Sequence, residues 1–229
     1  MNLLVFETAT PSGGVALVRD GELAGVAQIN SAQAHSRLSV DLARLLVEAQ
    51  GMTWGQLDVF AASHGPGAFT GIRVGLTLAK GMAWSLGRPM VTMSSLAVLA
   101  AGAVDAGVVA TVVDARMGEI YGAVYTVEDG LPRLLGEEFA ATPAEAAPRF
   151  ATLAAGAPLV FCGEGAIRYH AEHFAPLGPL ARMDRRRSTP AAAALLALTM
   201  AQAGHTISPE AAAAVYLREA TTTPPPPGR

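Results

Sequence analysis

Apolar residues along this chain come first in short unbroken runs and then at helical spacing, and the sequence does this twice. LLVFET (residues 3–8) is too short for a helix and reads as a buried strand. TPSGG (10–14) is a turn. GGVALVRD and ELAGVAQI are two further strands joined by Asp20-Gly21, a dipeptide suited to a tight hairpin. From His35 to Gln50 the period lengthens, and Leu38, Leu42, Leu45 and Ala49 predict a helix with that face toward the core. VFAASHG is a fourth strand, followed by a glycine-rich loop and helix. PMVTM is a short strand and SSLAVLAAGAV a helix capped by Ser94 or Ser95.

The second pass begins near Gly107. VVATVVDAR, EIYGAVYTVED and LPRLLGEEF read as strands. TPAEAAPRFATL is a short helix with Thr142 as cap and Pro143 at its first position. LVFCG is a strand, a helix runs from about Glu164 to His173, and TPAAAALLALTMAQAG is a last helix with another Thr-Pro start. Two blocks that each open with three strands predict a duplicated α/β unit. The expected domains are 1–105 and a smaller 106–189, with the helix at about 190–204 packing back on the first. Residues 220–229 form a proline-rich tail expected to be extended and disordered.

GPGAFTGIRVGLTLAKG (65–81) poses the sharpest question. It fits neither glycine-rich phosphate motif. Lys80 precedes Gly81 with no Ser or Thr beside it, and the spacing from Gly65 to Gly71 is one residue too long for a dinucleotide fingerprint. An anion at the helix start near Thr70 and Arg73 stays open. Gly71, Gly75, Ala79 and Ala83 form a stripe of small residues that admits a close neighbour. Ile72, Leu76 and Leu86 flank it, and Val74, Leu78 and Met82 lie on other faces. The preceding helix also carries Val40, Ala43, Leu46 and Val47 beyond its expected core face. Both helices are therefore apolar on more than one side. Either they are sandwiched within their own domain, or one face meets another subunit as half of a four-helix bundle.

Composition narrows the functional classes. Over 229 residues the net charge is −3, with 51% hydrophobic and 15% charged residues, so no basic footprint marks a dedicated nucleic-acid binder. No apolar run is long enough to span a membrane and no basic segment precedes LLVF, which predicts a cytoplasmic protein without membrane contact. The single cysteine, Cys162, reads as a buried small hydrophobe. His170 and His173 lack a third metal ligand and read as an exposed helix pair. Ser63-His64 lacks the surroundings of a nucleophile. Asp114, Arg116 and Glu119 read as a turn fixed by an ion pair or as lining of an interdomain cleft. Arg182 and Arg185–Arg187 read as a solvated loop or as a contact for the phosphate groups of a partner. No cofactor is called for.

GPGAFTGIRVGLTLAKG together with DARMGEIYGAVY (114–125), the opening LLVFETAT, His35-Ser36 and the closing VYLREA resembles the TsaB (YeaZ) family. The resemblance is strongest over residues 1–125. It implies a two-domain actin/sugar-kinase-like (ASKHA) fold with duplicated α/β units. It also implies a non-catalytic scaffold that pairs with a TsaD-like catalytic paralogue, joined by a TsaE-like ATPase, in forming threonylcarbamoyladenosine beside the tRNA anticodon. Such proteins self-associate as homodimers when alone and meet tRNA only through the complex. The two N-terminal helices would carry the pairing surface, from His35, Leu38, Leu42, Leu46 and Val47 on the first and Gly71, Ile72, Arg73, Gly75, Leu78, Ala79 and Met82 on the second. An independent nucleotide-dependent kinase-like enzyme of the same fold is the alternative, with Thr8, Thr10 and Ser12 as its nucleotide contacts. Glu7 stands where the family usually has aspartate, and Ala214 where a proline commonly precedes Tyr-Leu-Arg.

Overall fold

The computed structural model describes residues 1–103 and 107–217, excepting the side chains of residues 32–35; His35 and the tail therefore lie outside the described residues. The first unit is built from β1 (Leu3–Glu7), β2 (Gly13–Arg19), β3 (Glu22–Ile29), α1 (Ala32–Ala49), β4 (Val59–Gly65), α2 (Phe69–Leu86), β5 (Met90–Ser94) and α3 (Ser95–Ala103). The second repeats the order without a counterpart of β5, with β6 (Gly107–Arg116), β7 (Glu119–Glu128), β8 (Leu131–Ala141), α4 (Pro143–Ala154), β9 (Leu159–Cys162), α5 (Glu164–Tyr169) and α6 (Pro190–Gln202). The sheets run β3-β2-β1-β4-β5 and β8-β7-β6-β9. In each, the first three strands are antiparallel and the fourth joins the first in parallel. This is the duplicated actin/sugar-kinase-like fold.

The continuous apolar runs are explained by burial on both faces. Leu4 and Phe6 point into a core closed by Ala43 and Val47 of α1 and by Ile72, Leu76, Ala79 and Ala83 of α2. Leu3 and Val5, on the opposite face of β1, pack on Ala193, Ala194 and Ala197 of α6. In the second sheet Ala110, Val112 and Val124 meet Phe150 and Phe161, and Val109, Ala123 and Tyr125 meet Leu96, Leu99 and Ala100 of α3. The last helix of each unit thus packs on the sheet of the other: α6 lies on the first sheet and α3 on the second.

Local signals act as physical chemistry requires. Asp20 and Gly21 take left-handed backbone in the β2–β3 turn. Thr142 and Glu145 close a reciprocal capping box at α4, and the Thr142 bonds hold the Glu145 carboxyl below its usual range. α1 departs from expectation. Its inner face carries Ser39, Ala43 and Val47, whereas Leu38 and Leu45 are 40% and 59% exposed and Ala49 is exposed. The small inner residues let the helix close onto β2, leaving Leu38 and Leu45 outside and Leu42 and Leu46 half-buried.

Candidate docking surface and interdomain cleft

α2 begins directly over the turn that follows β1, and its glycines make this possible. A methyl group on Gly71 would lie 2.0 Å from the Thr8 carbonyl oxygen, and one on Gly75 would lie 2.5 Å from Thr8 Oγ1. Thr8 Oγ1 donates to the Gly71 carbonyl at 2.7 Å, and Ala68 N donates to the Ala9 carbonyl at 2.8 Å. The stripe of small residues therefore serves the chain's own β1. Gly71, Ile72, Gly75 and Ala79, and Val47 across from them, are buried inside the chain and cannot form its surface. Leu46 is half-buried against Gly25 of β3, and Leu42 and Met82 are half-buried on the same core. Of the twelve residues expected to pair, the structure leaves Leu38 and Arg73 exposed and Leu78 at the rim of a groove.

Sequence reasoning predicts a spare apolar face and names Val40 on it, but takes Leu45 as core and does not single out Phe69 or Trp84. Val40 and Leu45 of α1 and Phe69 and Trp84 of α2 are 45%, 59%, 45% and 71% exposed. Between the two helix starts lies a groove of about 460 Å³ lined by Ser36, Phe69, Thr70, Arg73, Val74, Thr77 and Leu78. The signal was present. Trp84 sits opposite Gly75 and Ala79 on the helical wheel, so once the small-residue stripe faces inward, Trp84 must face out.

The polar side chains around the end of β1 are bonded within the chain. Thr8, Thr10 and Ser12 are buried, and their hydroxyls bond to Gly71 O, to Ser12 O (3.0 Å) and to Asn30 Oδ1 (3.1 Å). Glu7 is fully buried at the end of β1. It accepts from Ser63 Oγ and, at 3.2 Å, from Ala9 N. Burial raises its carboxyl to about 7 against the lowering effect of those two donors. Glu138 of β8 bridges the units by accepting from Ser94 Oγ at the end of β5 and from Tyr125 OH of β7 at 2.7 Å. Burial lowers the nearby His64 and raises Glu164 and Tyr125.

The remaining candidates have these places in the structure, with Arg182 and Arg187 exposed at the surface. Asp114 pairs with Arg168 at 2.8 Å and accepts from the backbone of Arg116, so the ion pair reaches another element and does not close the turn on itself. His170 and His173 are half-buried in a π-turn (170–174), packed on Phe161 and Phe174, and not an exposed pair. Arg186 donates to the Ala181 carbonyl at 2.7 Å. Cys162 is fully buried, and burial pushes its thiol up. Among the described residues no group of three His, Cys, Asp or Glu could hold a metal ion, and no helix is long and apolar enough to cross a membrane.

Comparison with known proteins follows the same lines. Residues 21–175 match the family model described as TsaD, tRNA N6-adenosine threonylcarbamoyltransferase. The chain is 33% identical to the tRNA threonylcarbamoyladenosine biosynthesis protein TsaB of Bacillus subtilis over 132 residues, 57% of this chain and 58% of that protein. It thus spans somewhat over half the length of that relative. An uncharacterised protein of Mycobacterium tuberculosis is 35% identical over 68% of this chain and 72% of its own. Among solved structures, YeaZ from Pseudomonas aeruginosa superposes with a TM-score of 0.82 at 29% identity, over 94% of this chain and 99% of that one.

Proposed function

The chain belongs to the TsaB/YeaZ family, and we propose that it is a non-catalytic scaffold subunit in the formation of threonylcarbamoyladenosine in tRNA, pairing with a TsaD-like catalytic paralogue. The observation that carries this reading is the outer face of α1 and α2. Both helices already bury a full face on their own sheet, yet Leu38, Leu45, Phe69 and Trp84 stand exposed, and Phe69 lines a groove between the helix starts. Apolar area of this kind on adjacent helices marks a partner surface. A TsaE-like ATPase would join the assembled pair, tRNA would be met through that assembly in the cytoplasm, and the same face would support a homodimer when the partner is absent.

The cleft supports the non-catalytic part of the reading. The kinase-like alternative needs the hydroxyls of Thr8, Thr10 and Ser12 for a nucleotide, and all three are buried and bonded within the chain. The test is size-exclusion chromatography with light scattering of the chain mixed with the TsaD-like protein of the same organism. A one-to-one complex is expected, lost in Leu45→Glu and Trp84→Glu while both variants keep the wild-type melting temperature within a few degrees. No complex, with nucleotide and without it, would overturn the proposal.

A further inference from the structure

The segment after α6 returns across the molecule as a strap. Ile207 pairs with Met90 on the free edge of β5 through backbone bonds of 2.9 and 2.8 Å. The chain then crosses α2, where Lys80 Nζ donates to the carbonyl oxygens of Glu210 at 3.3 Å and Ala212 at 3.1 Å. Lys80 is the only lysine in the sequence. Val215 N donates to the His64 carbonyl at 2.8 Å, which ties the strap to the end of β4. Beyond this point Tyr216 lies 5.5 Å from the ring of Phe69, and its hydroxyl accepts from Arg73 Nε at 3.1 Å. The Arg73 guanidinium sits 3.7 Å over the Phe69 ring.

This cluster sits at the surface. Phe69 and Tyr216 are each 45% exposed, and Arg73 is exposed. Holding three large side chains in one arrangement at the surface costs rotamer entropy and buries little area in return. A return comes if the arrangement is met by another molecule: Tyr and Arg dominate the energetics of interfaces, and ordering them beforehand lowers the cost of association. Phe69 and Arg73 also line the groove between the starts of α1 and α2, so the cluster is continuous with the proposed pairing face.

We propose that the strap, latched by Lys80, is the third element of that face, and that Tyr216 holds Phe69 and Arg73 in the orientation the TsaD-like partner meets. The inference rests on the pairing reading above. The occupant follows from the family match: this chain itself fits the TsaD model over residues 21–175, so the partner brings a helix pair of like construction, and the strap borders the α2 side of the contact. Tyr216 then contacts the partner, whereas Lys80 is a positioning residue acting through the strap.

The test is the affinity of the full-length chain for the TsaD-like protein of the same organism, measured by calorimetry beside a thermal melt of each variant. Tyr216→Ala is expected to weaken pairing roughly 10- to 30-fold with little change in melting temperature. Tyr216→Phe, which keeps the ring, loses about 3-fold. Lys80→Ala loses roughly 3- to 10-fold, and Lys80→Arg, which can still donate to both carbonyls, restores most of it. Because both positions act through one cluster, the double variant Lys80→Ala/Tyr216→Ala loses no more than Tyr216→Ala alone. Wild-type pairing retained within about 2-fold by Tyr216→Ala, or losses that multiply in the double variant, would overturn the inference and leave the pairing reading standing. Absence of any complex with the wild-type chain would remove both.

Discussion

The seating of α2 on β1 can be tested with one substitution made at two glycines of the same helix. In Gly71→Ala the new methyl group falls 2.0 Å from the Thr8 carbonyl oxygen and 3.1 Å from its carbon, where an unstrained contact needs more than 3.4 Å. Backbone cannot swing aside as a side chain can, so either the helix start or the turn after β1 must move by more than 1 Å. That movement strains the Thr8–Gly71 and Ala68–Ala9 hydrogen bonds. Overpacking costs about 1–3 kcal/mol and each weakened bond about 1 kcal/mol, against a helix-propensity gain of at most ~1 kcal/mol. The net loss is roughly 2–4 kcal/mol, which for a chain of this size lowers the melting temperature by about 4–16 °C. In Gly81→Ala nothing lies within 4 Å of the added methyl, so only the propensity gain remains, about 0.5–1 kcal/mol or roughly 1–4 °C upward. Both variants are melted by circular dichroism at one protein concentration, because self-association would otherwise shift the midpoint. If Gly71→Ala melts at or above wild type, or if the two substitutions move in the same direction, α2 does not rest on Thr8.

Three further outcomes follow from the interior. Glu7 is protonated more readily folded, at about 7, than unfolded at 4.5, so the folded state binds the extra proton and stability falls as pH rises from about 4.5 to 7. Glu7→Gln should remove on the order of 3 kcal/mol of that decline and melt above wild type at pH 8; a melting profile between pH 5 and 8 that stays parallel to wild type would refute the assignment. Cys162, buried beneath Leu99, should react with a thiol reagent only at the rate of unfolding, and rapid labelling of the native chain would contradict its place in the core. Tyr125→Phe removes one of two donors to Glu138 and should cost about 1–2 kcal/mol by urea titration, with no loss indicating that the Tyr125–Glu138 bond is not formed in solution.

The chain order of strands and helices was legible because each element depends on its own residues: unbroken apolar runs for strands buried on both faces, Asp20-Gly21 for a hairpin, Thr142 and Pro143 for a helix start. Which face of a helix points inward was not legible in the same way. α1 carries two stripes at helical spacing, one of leucines and one built on Ser39, Ala43 and Val47. Hydrophobicity alone favours the leucines, but the distance between helix and sheet selects the small residues, and that distance is set by β2 and β3, far away in sequence. α2 shows the complement. Its glycine stripe was legible as a close contact, yet nothing local says whether the near neighbour belongs to the same chain. The answer lies in the Thr8 carbonyl, 63 residues away. The candidate site inherits this ambiguity directly: a residue buried in the chain and one offered to a partner have the same composition, and only the position of the chain's own sheet separates Val47 from Leu45 or Ala79 from Trp84. The strap is the extreme case. Its alanines carry no period, and although VYLREA marks its end as a motif, nothing local places it over α2; the isolated Lys80 acquires meaning once the carbonyls of Glu210 and Ala212 are brought there.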